Sequence, residues 1–329
     1  MTNFLNESQN TLNKAIELLQ HNPEWIIRYE DYAKEILKKF DLAKSKKKHF
    51  HEWASLYIYM NVSEAKGSLS FSLRYLGQDV AKLKVKKDNV IISTKGLGNN
   101  NIRDFGCNIC LHNNNWKSKE AKEFRKFFSA NLVRLNNSSK GNEEHRVESA
   151  LLTEFSKKKG KEKALRYIQP VRLAGISRFQ MPTPLSASKI NELSYSGSHG
   201  GGIDILARVG TGRGVKLCII EVKDENKPSE PPSKVIQQAI AYAVFIRELL
   251  RSKAGNDWYK IFGFKSSIPK KLKLVVVCAM PYHPSTDNSF ANQILNIGND
   301  ELHLHYIYFA EINNRIEKII FSIDKSSIE

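Results

Sequence analysis

Asp204, Glu221 and Lys223 stand in two stretches that otherwise read as apolar strands, GGIDILAR (201–208) and VKLCIIEVK (215–223). Burying a carboxylate costs several kcal/mol unless it is paired or holds a metal, so a purely structural strand has no use for one. Side chains alternate along a strand, which puts Leu217, Ile219, Glu221 and Lys223 on one face and Cys218, Ile220 and Val222 on the other. The intervening GTGRG (210–214) is rich in residue types that tolerate the positive φ of hairpin turns. A hairpin folded between Gly212 and Arg213 sets Asp204 opposite Glu221, with Cβ atoms ~5 Å apart on the same face. A bulge would shift that register by one residue. Two carboxylates this close repel unless a cation lies between them, and oxygen donors of this kind suit Mg²⁺ or Mn²⁺. The competing reading is a Lys–Asp–Glu ion-pair cluster on an exposed sheet face, which contributes little.

Two flanking helices must help position this group. In EEHRVESALLTEF (143–155), helical periodicity places Val147, Leu151, Leu152 and Phe155 on one arc, and Glu144 and Glu148 fall inside it. An inward glutamate needs a partner. Periodicity does not choose between the two; Glu148 is preferred because it lies closer to the apolar stretch that packs on the sheet. In SKVIQQAIAYAVFIRELL (233–250), the apolar arc runs through Val235, Ile236, Ala239, Ile240, Ala243 and Leu250. Gln238 and Tyr242 sit on one border of it, one turn apart on the same face. Boundary packing alone would account for that pair.

A glutamate in a first helix, an aspartate, sixteen residues, ExK and then QxxxY in the next helix resemble the PD-(D/E)xK nuclease superfamily in its RecB-like branch. The resemblance covers roughly residues 142–280; Ile203 stands where the motif's proline would be. It implies a restriction-endonuclease-like fold and metal-dependent cleavage of nucleic-acid phosphodiesters, usually DNA. Asp204 and Glu221 would hold the metal with the Val222 carbonyl, and Glu148 would bind a second metal or a metal-bound water. Lys223 would position the attacking water and steady developing negative charge. Gln238 and Tyr242 would hold the lysine side of the site and the phosphate by hydrogen bonds. The glycines of YSGSHGGG (195–202) would allow close approach to nucleic acid or serve only as a connector. No GxxxxGK[ST] motif exists, so GTGRG is read as a turn and not a nucleotide cradle.

The rest of the chain sets the frame. Its 329 residues are long for one core, and a polar break, NNSSKGNEE (136–144), divides them. The expected organisation is an N-terminal α+β domain over 1–138, for substrate engagement or specificity, and a nuclease domain over 139–329. The fold class is α/β, a mixed sheet flanked by helices. In the first part, 8–42 reads as helical, four strand-like runs follow between 54 and 95, and a helix covers 118–134. In the second, the order is helix (143–158), strand (166–174), a long loop holding MPTPLSAS, strands (202–209 and 215–223), helix (233–252) and strands (272–280, 302–310 and 315–322). Fifty-one Lys and Arg against 34 Asp and Glu give a net charge of +17. The excess is spread over both halves, +10 in 1–140 and +7 in 141–329. A surface this basic attracts polyanions, of which nucleic acid is the commonest in the cytosol; the resemblance implies DNA rather than RNA as partner, and a homodimer stays open. The runs SKKKH (45–49) and KKKGKEK (157–163) are read first as solvated helix ends or loops. Cys107 and Cys110 have CxxC spacing near His112, but no second pair completes a zinc site. The N-terminus lacks a secretory pattern, and the most apolar run, LVVVCAM (274–280), is far shorter than a membrane helix requires. These features point to a cytoplasmic protein. The expected activity is DNA endonuclease of restriction or defence type. The alternatives are an exonuclease or repair nuclease, or an inactive nucleic-acid-binding protein that uses the fold as scaffold.

Overall fold

The computed structural model describes residues 2–46, 56–62, 67–86, 89–94, 105–130, 143–157, 165, 167–187, 192–224, 230–282, 288–312 and 315–323. The polar break from 136 to 142 and most of both lysine runs lie outside them.

The first helical stretch forms two helices, α1 (Thr2–His21) and α2 (Glu24–Ser45). Pro23 separates them because it has no N–H to continue the ladder of α1. Strands β1 (Leu56–Asn61), β2 (Ser70–Tyr75), β3 (Gln78–Val85), β4 (Val90–Ser93) and β5 (Asn114–Asn115) follow, then α3 (Lys119–Ala130). Beyond the break come α4 (Glu143–Ser156), β6 (Ile168–Pro170), β7 (Arg172–Leu173), β8 (Ser177–Pro182), β9 (Leu185–Ser186) and β10 (Ser194–Tyr195). The chain continues through β11 (Gly202–Ile203), β12 (Ile205–Val209), β13 (Lys216–Val222), α5 (Pro232–Arg251) and α6 (Gly255–Ile261). It closes with β14 (Lys273–Pro281), β15 (Ile294–Ile297), β16 (Asp300–Ile312) and β17 (Arg315–Phe321).

The fold is mixed α/β, with six α-helices among the described residues. A first sheet has the order β11-β8-β1-β2-β3-β4-β5, with β7 beside β8; a second has the order β15-β16-β14-β13-β12-β6, with β17 beside β16. Strands β9 and β10 pair as a small third sheet. The first and second mix orientations: β1 and β8 are parallel, as are β13, β14 and β16. The segment expected as a long loop thus contains β8, which completes the first sheet from beyond the polar break. Its alternation, with Phe179 and Met181 buried on either side of half-buried Gln180, is short and closed by Pro182, which hides the strand in the sequence.

The second sheet is covered on both faces. Leu217, Ile219, Leu274 and Val276 belong to the core with α5, whereas Cys218, Ile220, Val275 and Val277 belong to the core with α4. Helix α5 is buried along almost its whole length because α1 and α2 cap its outer side. Trp25 and Tyr29 place their rings 5.6 and 4.9 Å from Phe245, and Trp258 Nε1 donates to the Tyr29 carbonyl at 3.0 Å. Each fully buried side chain of this kind contributes about 1.5–3 kcal/mol. No helix among the described residues is long and apolar enough to cross a membrane.

Candidate metal centre

The hairpin register is the one the sequence implies. Ile205 pairs with Ile220 and Leu206 with Ile219, so the next position outward sets Asp204 against Glu221. Gly210 and Gly212 take the positive φ values, +114° and +54°, that reverse the chain. Asp204 itself lies in a break between β11 and β12, where the chain passes from the first sheet into the second. Its Oδ2 accepts the Val222 N–H at 2.8 Å, which ties the break to the end of β13. Val222 therefore meets the site as a main-chain donor to the carboxylate.

One carboxylate oxygen each from Glu144, Asp204 and Glu221 lie within 4.8 Å of one another. Lys223 Nζ bridges two of them, 3.0 Å from Glu221 Oε1 and 3.3 Å from Glu144 Oε1. Of the two α4 glutamates, Glu144 supplies the oxygen in this group, and Glu148, the one preferred from the sequence, is buried nearby and acts on Asp204 more strongly than Glu144 does. Glu148, one turn further in, is 4% exposed and pairs with His145 Nδ1 at 3.3 Å. It remains close enough to act electrostatically on Asp204.

The electrostatics are those of a site with too little positive charge. Burial pushes the Asp204 carboxyl well above its ordinary range, and Glu221, Glu148 and Glu144 push it further. Burial also raises Glu221 to about 7, although Lys223 pulls it down. Burial alone would lower the Lys223 ammonium, but Glu221 and Glu144 more than reverse this and raise it. When ionised, three carboxylates and one ammonium leave two negative charges uncompensated within the group. Glu221 Oε2 is buried without a hydrogen-bond partner among the described residues. An orphaned buried carboxylate oxygen is costly, and a divalent cation would satisfy both it and the surplus charge. The residues present fit a hard, oxygen-bound ion such as Mg²⁺ or Mn²⁺.

Gln238 and Tyr242 lie on α5 and are both buried, 6% and 2% exposed. The Tyr242 hydroxyl is hydrogen-bonded to the Ala187 backbone, and burial with the fields of Glu221 and Asp204 raises its pKa. It stands next to the carboxylates. Gln238 Oε1 is buried with no partner among the described residues, and the residue lines a cavity of about 420 Å³ with Glu230, Lys234 and Gln237. Tyr242 also accounts for a glycine in YSGSHGGG: a Cβ on Gly201 would come 2.5 Å from its hydroxyl oxygen. His145 is the site neighbour that sequence reasoning missed. Its only signal was its place three residues before Glu148, on the same side of the helix. Cys107 is buried and Cys110 exposed, and neither is in a disulfide.

Comparison of the chain with protein-family models, curated proteins and solved structures finds no match.

Proposed function

We propose that this protein is a metal-dependent nuclease that hydrolyses DNA phosphodiester bonds, built on a restriction-endonuclease-like core and acting as an endonuclease of restriction or defence type. The observation that carries the proposal is the meeting of Glu144, Asp204 and Glu221 around an under-compensated point, with Lys223 bonded into the group. Asp204, Glu221 and Glu144 are the residues that would hold Mg²⁺ or Mn²⁺. Such an ion, when bound, supplies Lewis-acid polarisation of a phosphoryl oxygen and a water of lowered pKa. Lys223 stays protonated, so its ammonium donates toward the attacking water and the negative charge that develops on the phosphate. The Val222 N–H fixes Asp204 in orientation, and the Tyr242 hydroxyl bounds the site on the α5 side. Their chain positions reproduce the order of the PD-(D/E)xK motif, which supports the phosphodiester reading over a plain ion-pair cluster.

Incubation with closed circular and with linear DNA in Mg²⁺ or Mn²⁺ tests the proposal. Nicking or linearisation of the circle is expected. Digestion of linear DNA alone would make the enzyme an exonuclease. Binding without cleavage of either would leave a nucleic-acid-binding scaffold.

A further inference from the structure

The cavity beside α5 is built by distant parts of the chain. Glu7 and Lys14 of α1, Lys234, Gln237 and Gln238 of α5, and Ala187 next to β9 all line it. Its volume, about 420 Å³, falls within the usual range of small-ligand sites, about 300–1,000 Å³. Three of the lining residues carry a buried oxygen with no partner among the described residues: Glu230 Oε2, Gln237 Oε1 and Gln238 Oε1. The Gln237 amide is held in place, because its Nε2 donates at 2.9 Å to Oγ of Ser8, a fully buried residue of α1. Its oxygen is therefore the end left over. A buried acceptor without a donor costs about 1–3 kcal/mol, so the three together require a donor-rich occupant.

Charge narrows the occupant further. The lining carries three acids, Glu7, Glu192 and Glu230, against two bases, Lys14 and Lys234, which disfavours an anion inside it. Three acceptors among small apolar side chains such as Ala187, Leu193 and Ala241 suit a flat, neutral group with several N–H donors on one edge. A nucleobase with an amino group has that form, and a base outside the helical stack is read through its pairing edge. Guanine presents N1–H and its 2-amino group on that edge, whereas thymine presents N3–H alone.

The cavity adjoins the carboxylates. Ala187, in its wall, is bonded through its backbone to the Tyr242 hydroxyl, and the charge of Glu230 acts on Glu221. Gln238 and Tyr242 are one turn apart on α5, about 6 Å along the axis, comparable with the reach from a phosphate to its own base. We infer that this cavity seats an unpaired, amino-bearing base, guanine before the others, from the DNA strand whose phosphate lies at the carboxylates. The inference rests on the nuclease reading and adds the base that the site selects. Glu230 and Gln237 become binding residues in their own right, apart from the Gln238–Tyr242 pair. Turning a base out of a duplex costs a few kcal/mol, least where it is already unpaired, so single-stranded or frayed DNA is the favoured substrate.

The test uses the full chain without metal and short labelled oligothymidine strands, with or without one central guanine, followed by fluorescence anisotropy. The guanine strand should bind about threefold to tenfold more tightly, the effect of one or two net hydrogen bonds. Inosine, a purine without the 2-amino group, should lose part of that advantage, and 7-deazaguanine, altered on the opposite edge, should keep it. Gln237→Met and Glu230→Ala should each shrink the ratio between the two strands, with thermal unfolding as the check on folding. Gln237→Met also removes the Ser8 bond, so Glu230→Ala carries the test if that variant does not fold. Equal affinity for the two strands overturns the base pocket, as does an inosine strand bound as tightly as guanine, or a ratio that survives substitution. An adenine or cytosine strand bound more tightly than guanine overturns the choice of guanine. A guanine preference in a chain that cuts no DNA in Mn²⁺ sinks the nuclease reading and leaves the pocket standing. Cleavage with no base preference in binding sinks the pocket alone.

Discussion

Lys223 shows how little freedom the individual residues of this site have. Its ammonium is bonded to Glu221 and Glu144 at once, so it cannot leave the group without stranding the buried Glu221 and the half-buried Glu144. Lys223→Ala should reduce cleavage by about 10²–10³-fold, the usual loss when a charge-stabilising donor is removed. DNA affinity should change little, because the lysine serves the reacting phosphate more than the duplex. Comparable losses in affinity and rate would refute that division. The two glutamates of α4 make different predictions. Glu144→Gln removes a charge from the point where the oxygens meet and should weaken Mn²⁺ binding, read by calorimetry, by about tenfold or more. Glu148→Gln removes a charge that acts on Asp204 but no oxygen of the group, so it should weaken metal binding less and also alter the His145 contact. The reverse order of effects would return Glu148 to the centre.

At the scale of elements, the site depends on segments that touch at backbone distance. The approach of the 195–202 loop to α5 is the clearest case. Gly201 lies so close to Tyr242 that a methyl group there displaces the hydroxyl or the loop. Gly201→Ala should destabilise the protein by about 1–3 kcal/mol, the usual cost of overpacking. In Gly201→Ala, Tyr242→Phe the missing oxygen makes room, and denaturant unfolding should show a smaller loss than the sum of the single variants. Strict additivity would mean that the contact is not the cause. A second close contact joins Gly77 to α4, so the same helix that carries Glu144 is fixed from the first sheet as well as from the second.

For the whole molecule, the consequence is a stability that falls as pH rises when metal is absent. Glu221 titrates at about 7 in the folded chain against an ordinary value of 4.5, and Asp204 is shifted in the same direction. Between those values the folded state holds more protons than the unfolded state, so unfolding free energy decreases with pH. Stability from Glu221 is complete below the ordinary carboxylate range and is lost as pH passes through about 7, and Asp204 acts in the same direction. Lys223 is raised instead, and its contribution persists to far higher pH. His303 and His305, held low by burial, add stability as pH rises to about 6.5. Thermal unfolding of metal-free protein should therefore show its falling midpoint from about pH 6.5 to about pH 8. Mn²⁺ should restore the midpoint at the upper end and leave the lower end almost unchanged. A metal-free midpoint that rises over this range, or no response to Mn²⁺ at high pH, would argue against the centre. The N-terminal residues belong to the same energetic unit. With β1 paired to β8 and Trp25 and Tyr29 packed on Phe245, such measurements belong on the full chain.

The sequence by itself determined the local features. Alternation and the GTGRG turn gave the β12–β13 hairpin and the facing of Asp204 and Glu221. The 3.6-residue period gave α4 and α5, and the β-branched runs gave most strands of both sheets. These rest on short-range physics, namely side-chain direction, turn conformation and apolar period, which neighbouring residues encode. Tertiary structure alone decided three other things. It brought a Glu144 oxygen into the carboxylate group with Glu148 buried nearby, because where a helix ends relative to a sheet edge is fixed by packing and not by periodicity. It made β8, a six-residue run ending in proline, the bridge between the two parts of the chain, because its partner β1 lies more than a hundred residues away. It also joined the first sheet to the carboxylates, since the chain crosses from one sheet to the other at Asp204. Each is a question of which distant surfaces meet, and the free energy of those contacts is not written in any one stretch of sequence.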